Sequence, residues 1–300
     1  MYTKNFVNPC PDWATALLNG FSQVLLLRNP LCGLCCLLAI LLTAPSLVGG
    51  GALLGALAGL LTAQARGYDR ADRQAGLYCY NGVLIGILIS VVLPWSAILP
   101  PLIIAAGGLS SIITHQWRKR GGKLLIAYTA PFVLLGWATL LLASPSPSGF
   151  VEADPLYALA RGVGQIFLLD QPLAGALIIL GMFIANPYAA MWAVIGSAIG
   201  GGVALLTDQA QAAWLGLHGF NAALAALAFS RQGEKIGVTL LAIGLALVLQ
   251  PLYKFLSIPA LTAPFVTACW VIHVGAHLVR PNTSPRAGKL PNNNVHQSTK

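Results

Sequence analysis

Acidic side chains are what this chain has least of. Its 300 residues hold 8 Asp and Glu against 17 Lys and Arg, and only 8% of positions are charged. Soluble domains carry about 25%. With 57% hydrophobic residues, a water-soluble fold would have one large core and almost no polar coat, so the composition points to an integral membrane protein. The acids are Asp12, Asp69, Asp72, Glu152, Asp154, Asp170, Asp208 and Glu234, all at the ends of apolar stretches or between them. Proton- and sodium-coupled carriers place carboxylates inside the membrane. Their absence points to passive conduction of a neutral solute, and it removes the paired carboxylates of acid/base catalysis.

Other absences narrow the class further. Segments such as residues 47–65 are apolar on every face, whereas barrel strands alternate with period two, so a β-barrel is excluded. Cys32, Cys35 and Cys36 resemble a metal knuckle, but no second Cys/His cluster stands at matching spacing. The other cysteines, Cys10, Cys79 and Cys269, are scattered. His273 and His277 have zinc-like spacing without an acid between them or a third ligand. His218 faces Tyr78 in the repeat described below, so its chemistry is not shared between the copies. No nucleophile elbow and no phosphate loop occurs; the chain reads as no enzyme, with no metal and no cofactor. Residues 1–11 hold one Lys and no long apolar run, so no cleavable signal peptide is expected. The net charge of +9 collects in loops, notably Arg118, Lys119, Arg120 and Lys123, and in the tail. That pattern reads as membrane orientation rather than nucleic-acid binding.

What is present is a series of apolar pieces, mostly 13 to 24 residues long. A bilayer-spanning helix needs about 20, so several are short or broken. The expected pieces cover residues 12–28, 31–43, 46–65, 83–93, 96–117 and 124–143. Polar and aromatic punctuation recurs between them in fixed order. The run Gly76-Leu77-Tyr78-Cys79-Tyr80-Asn81-Gly82-Val83-Leu84 returns as Gly216-Leu217-His218-Gly219-Phe220-Asn221-Ala222-Ala223-Leu224, 140 positions later. Gln23, Pro30, Gly33 and Pro45 match Gln165, Pro172, Gly175 and Pro187 at an offset of 142. Thr129-Ala130-Pro131-Phe132 and Trp137 match Thr262-Ala263-Pro264-Phe265 and Trp270 at 133. Apolar similarity alone aligns leucines, not glutamines, prolines and asparagines.

The charges then give a topology. The basic loop at 118–123 belongs on the cytoplasmic side. One span later, the Ser/Pro-rich linker and Glu152 and Asp154 carry no base, as suits an outside loop. The second half therefore starts from the opposite side, as an inverted repeat. The expected division is a cytoplasmic segment at 1–11, a first membrane repeat at 12–143, an extracytoplasmic linker at 144–155, an inverted second repeat at 156–279 and a disordered cytoplasmic tail at 280–300. An inverted repeat needs an odd number of full spans. One piece per half must enter and leave on one side, and charge favours the piece ending at Arg28 over the one around residues 70–80.

Within the apolar pieces the recurring polar residues are neutral: Gln23 and Gln165, Asn81 and Asn221, Thr129 and Thr262. A buried amide without partners costs several kcal/mol, so each must bond backbone, face water or face a permeant. Asn81 and Gly82 read as shaping a helix break, and the threonines as bonding back to their own helices or facing a central path.

These motifs resemble the urea transporters, channels for urea, over residues 17–279. The carriers are Ser22-Gln23-Val24 with Asn29-Pro30-Leu31-Cys32-Gly33, the segment 76–84, and Thr129-Ala130-Pro131-Phe132, each with its second copy. The resemblance identifies the chain as a bacterial member. It implies an all-α integral membrane protein of two inverted halves, each with five spanning helices and one half-spanning re-entrant helix. It further implies a homotrimer in the lipid bilayer of the inner (plasma) membrane, with one urea pore per protomer and urea as the partner. Residue by residue, it implies pore-facing amides at Gln23 and Gln165, with Val24 and Ile166 beside them. It implies slot walls at Tyr80, Leu84, Phe220 and Leu224, and mid-pore hydroxyls at Thr129 and Thr262. Leu26 and Leu168 depart from members with Phe at those positions, and Tyr80 adds a hydroxyl. The alternatives are a coupled secondary transporter of a small amide or metabolite, and a receptor or scaffold that leaves the doubled polar set unexplained.

Overall fold

The computed structural model describes residues 12–122, 124–143, 151–230 and 235–279. Most of the expected linker, the loop at 231–234, Lys123, the first eleven residues and the tail lie outside the described residues. Those described form helices and no strand. The first half runs α1 (Asp12–Gln23), α2 (Pro30–Thr43), α3 (Ser46–Ala65), α4 (Arg70–Gln74), α5 (Tyr80–Val92), α6 (Leu99–Gly121) and α7 (Ala130–Leu140). The second runs α8 (Pro155–Gly164) with a 3-10 turn at Gln165–Phe167, then α9 (Pro172–Ala185), α10 (Pro187–Leu206), α11 (Ala210–Trp214), α12 (Gly219–Phe229), α13 (Ile236–Phe255) and α14 (Ala263–Val279).

The starts of these helices follow from local chemistry. Proline occupies the first or second position of α2, α6, α7, α8, α9 and α10, where its missing N–H costs nothing and its φ is preset. Asn29 caps α2 through Cys32 N at 3.0 Å, and Asn186 caps α10 through Tyr188 N and Ala189 N. Three helices, α3, α10 and α13, are long and apolar enough to cross a membrane. The pair α8 and α9 also passes together, bent by 76° at its joint. Outward faces are apolar too: Leu31, Leu34, Leu38 and Leu42 form an exposed stripe down α2, where a soluble helix would present charge.

Several expected boundaries move. The first helix ends at Gln23 rather than Arg28, because Leu26 takes a left-handed φ of 59°. Helix α5 starts at Tyr80, so Tyr80 and Asn81 lie inside it, and α7 begins at Ala130 rather than 124. Arg118, Lys119 and Arg120 form the last turn of α6 rather than a loop, and α8 starts inside the expected linker, at Pro155. Of the two candidates for a half-length piece, α4 has five residues, about 8 Å, and α1 has twelve, about 18 Å. Only α1 has the length to reach half-way through a bilayer.

The duplication is structural in detail. Leu26 and Leu168 share φ 59°, and each N–H bonds the carbonyl of the glutamine three residues back at 3.0 Å. Tyr128 and Leu261 have φ 40° and 43°, Gly76 and Gly216 have 78° and 74°. The break before α5 is therefore made at Gly76, not at Gly82. A Cβ on Gly76 would stand 2.3 Å from Gly20 N, and one on Gly216 2.4 Å from Gly162 N, so both conformation and space demand glycine. Asn19 bonds the carbonyl of Gln74, and at the matching place Arg161 bonds that of Trp214.

The halves are joined reciprocally. Trp137 Nε1 donates to Pro259 O at 2.8 Å, and Trp270 Nε1 donates to Ile126 O at 2.8 Å. Residue i bonding j′ while i′ bonds j is the signature of a twofold axis. Equivalent residues that touch each other lie on that axis, and Thr129 and Thr262 do.

Candidate functional site

Thr129 and Thr262 sit just before two short helices, α7 and α14. The Thr129 hydroxyl makes no cap bond to its own helix. Instead Thr129 Oγ1 and Thr262 Oγ1 lie 2.7 Å apart, with the residues 1% and 3% exposed. The expectation that each bonds back to its own helix is replaced by a bond across the axis. One hydroxyl donates to the other, which leaves one donor and several lone pairs facing other directions.

The two asparagines hold the threonines' backbone in place. Asn81 Oδ1 accepts from Phe132 N at 3.2 Å and its Nδ2 donates to Tyr128 O at 3.5 Å and to Thr114 Oγ1 at 3.2 Å. Asn221 Oδ1 accepts from Phe265 N at 3.3 Å and its Nδ2 donates to Leu261 O at 3.0 Å. Each asparagine thus satisfies an orphan N–H at the start of α7 or α14 and braces the left-handed residue before the threonine. The expected role in shaping their own helix break is corrected: a neighbouring helix start needs the amide more. Tyr80 adds a third bond in the first half only, its hydroxyl donating to Tyr128 O. The Tyr128 hydroxyl in turn meets His273 Nε2 at 3.0 Å. The second half has Phe220 and Leu261 at these places.

Two cavities flank this centre. The first, 450 Å³, is lined by Gln23, Leu26, Leu27, Leu77, Tyr80, Thr114, Arg118, Tyr128, Asn186, Leu227 and Ser230, among others. The second, 520 Å³, is lined by Gln165, Leu168, Leu169, Leu217, Asp170, Ala44, Leu47, Ser90 and Val91, among others. These sets correspond across the repeat: Gln23 with Gln165, Leu26 with Leu168, Leu27 with Leu169, Leu77 with Leu217, Asn186 with Ala44, Ser230 with Ser90. They share no residue.

Helix direction places the cavities at opposite ends. The first turn of α5 (Tyr80) faces the first cavity and its last turn (Ser90, Val91) the second. For α12 the order is reversed: Leu217, just before it, lines the second cavity, and its last turn the first. The two helices run antiparallel between the cavities, about 15 to 20 Å apart by helical rise. The twofold therefore lies across the line joining the cavities, and the halves are inverted along that line. Arg118 stands at the first mouth and Asp170 at the second.

The sequence-derived set distributes unevenly over this geometry. Gln23 and Tyr80 meet in the first cavity, and Gln165 lies in the second, its Nε2 donating to Leu215 O at 3.1 Å. Leu84 and Leu224 are buried at mid-height of α5 and α12, and the threonine pair is on the axis. Val24 and Ile166 pack into the core and line neither cavity. Phe220 is partly buried against the same core and is not in the lining of the second cavity. Sequence reasoning passed over the pairs Leu27 and Leu169, Leu77 and Leu217, and Ser90 and Ser230. Their matched offsets were the available signal. No group of His, Cys, Asp and Glu suited to a metal occurs among the described residues.

Comparisons with known proteins agree with this duplicated, helical plan. A family model described as urea transporter matches residues 14–277. Urea transporter 1 of Ovis aries is 28% identical over 330 aligned positions, covering 96% of this chain and 84% of the relative. Urea transporter 1 of Mus musculus is 29% identical over 249, covering 72% and 62%. This chain belongs to the urea transporter family.

Proposed function

We propose that the protein conducts urea passively, down its gradient, along the line that joins the two cavities through the threonine pair. The observation that carries this reading is the pair of symmetry-related cavities at opposite ends of antiparallel α5 and α12, with neutral hydroxyls buried between them. Urea is flat, neutral and polar, with four N–H donors and one acceptor. Gln23 and Gln165 offer amides at the two mouths. Tyr80, Leu84, Phe220 and Leu224, with Val24 and Ile166 behind the glutamines, shape an apolar slot that a hydrated ion enters only at a large desolvation cost. Thr129 and Thr262 supply acceptors for urea N–H groups at the centre. A neutral hydrogen bond is worth about 1 kcal/mol net, and such weak sites in series permit both capture and release.

The reading extends to a multi-pass protein of the bacterial inner membrane that assembles as a homotrimer with a pore in each protomer. The basic end of α6 supports a cytoplasmic position for the first mouth. Stopped-flow light scattering on proteoliposomes tests the proposal under a urea gradient without any ion gradient. Urea flux well above that of empty liposomes is the expected result. Flux equal to empty liposomes refutes conduction, and flux that requires a proton or sodium gradient replaces it with coupled transport. Cross-linking and mass measurement in detergent give the subunit number.

A further inference from the structure

The two halves share a backbone plan, so a place that one half fills and the other leaves open marks a site outside the shared path. In the first half Tyr68, Tyr78 and His115 close against one another. Tyr68 stacks on the His115 ring at 3.8 Å, and the Tyr78 hydroxyl meets His115 Nδ1 at 3.2 Å. Their equivalents follow from the backbone. Tyr68 N bonds Ala63 O as Gln209 N bonds Ala204 O, each just after a left-handed residue, Gly67 or Asp208. Tyr78 matches His218 in the repeated segment. His115 and Gln250 stand at the same spacing before the left-handed residue that follows their helix, Gly122 or Ser257. In the second half Gln209, His218 and Gln250 do not close on one another; they line a chamber of 580 Å³. It adjoins the second cavity, and Leu217 lines both.

The chamber offers acceptors and one positive charge. Gln250 Nε2 donates to Leu217 O at 3.0 Å, which turns Oε1 the other way, and that oxygen is buried without a hydrogen-bond partner among the described residues. Pro251 has no N–H to give Leu247 O, and both residues line the chamber. Lys254, one turn after Gln250, belongs to the same lining, which holds no acid. It makes no ion pair among the described residues, and Asp208 is exposed and outside the lining. Two acids remain whose side chains are outside the described residues. Asp12 belongs to α1, which packs against α2 to α5. Glu234 falls in sequence between the end of α12 and the start of α13, and the chamber meets the other ends of both. Residues 144–150 carry no charge.

We infer that this chamber binds a small planar aromatic molecule that carries a carboxylate and a hydroxyl. The first half supplies the template: where the second half is open, it stacks a tyrosine on an imidazole and sets a phenol hydroxyl against a ring nitrogen. In the chamber the ligand's ring takes the place of those side chains, against His218 and among Leu247, Ile258 and Pro259. Its hydroxyl donates to Gln250 Oε1, the acceptor that the fold leaves unpaired. Its carboxylate meets Lys254. The volume falls in the range of small-molecule pockets, about 300–1,000 Å³. Gln250 also holds the Leu217 carbonyl, so the occupied chamber is joined to a wall of the second cavity.

Detergent-purified protein is titrated by calorimetry with 4-hydroxybenzoate, with benzoate and with 4-hydroxybenzyl alcohol. The first is expected to bind saturably at one site per chain. Benzoate, which lacks the hydroxyl, and the alcohol, which lacks the charge, should each bind about fivefold more weakly. Gln209→Tyr combined with His218→Tyr puts the first half's rings into the chamber and should abolish binding. Lys254→Gln should weaken 4-hydroxybenzoate by about fivefold and leave the alcohol unchanged. Lys119→Gln, at an exposed lysine on α6, is the control and should alter neither. Melting curves establish that each variant is folded, and the exposed Lys254 keeps the test decisive where the double variant is not. Absence of saturable binding, equal affinity for the three molecules, undiminished binding in the filled variant, or a Lys254→Gln loss that is equal for acid and alcohol overturns the inference. Urea is absent throughout, so failure here leaves the conduction reading standing.

Discussion

Replacing Thr129 and Thr262 by valine, singly and together, separates what the pair does for folding from what it does for urea. Valine keeps the volume and β-branching of threonine, so only the hydroxyl is lost. In Thr129→Val the hydroxyl of Thr262 loses its partner at 2.7 Å, in a residue 3% exposed. Leaving such a group unpaired costs about 1–3 kcal/mol. The reverse single variant costs a similar amount. The double variant removes both hydroxyls, and two apolar groups of the same shape facing each other are close to neutral. Stability should thus be strongly non-additive, with the double variant no worse than either single one. Flux should behave otherwise. Each hydroxyl offers urea about 1 kcal/mol, so losing one slows flux about fivefold and losing both about 25-fold. Thermal melts in detergent give the first quantity, and stopped-flow urea flux normalised to folded protein gives the second. A double variant that is stable and conducts at the parent rate refutes the placement of these hydroxyls in the path. Single variants whose flux falls only with their folded fraction refute it equally.

Further outcomes follow from individual contacts. Gly76→Ala and Gly216→Ala put a Cβ on a residue with φ near 75° and within 2.4 Å of backbone; each should cut the yield of folded protein severely, read by size-exclusion chromatography and melting. Trp137→Phe and Trp270→Phe each remove one indole bond between the halves and should cost about 1 kcal/mol apiece, by comparable amounts because the bonds are equivalent. Asn81→Leu strands Phe132 N and Asn221→Leu strands Phe265 N, so both should lower the melting temperature by more than the tryptophan variants. Tyr80→Phe recreates the arrangement at Phe220 and leaves Tyr128 O with its Asn81 bond; flux should stay within a few-fold of the parent, whereas Gln165→Leu should slow it clearly.

Much of the plan was legible in the chain because hydrocarbon makes polar residues conspicuous. In a segment with no water, a glutamine, asparagine or threonine needs a partner. Six of them recurring in order, with matched prolines and glycines, marked the duplication, and the two threonines among them meet on its axis. Scarcity of acid gave the class by the same reasoning. Helix ends were less legible. The left-handed residues Leu26, Leu168, Tyr128 and Leu261 are ordinary leucines and a tyrosine in sequence, and nothing local announces that the chain reverses there.

The sequence by itself determined that this is a duplicated, helical membrane protein with a symmetric set of neutral polar groups. Hydrophobicity, charge and repeat spacing are local or additive properties, and they survive without knowledge of packing. Tertiary structure alone decided which atoms those groups meet. It turned the threonines toward each other and set the asparagines to brace α7 and α14. Such pairings join residues up to 133 positions apart. Only the packing of whole helices about the twofold brings them within hydrogen-bonding distance, so no local pattern encodes them.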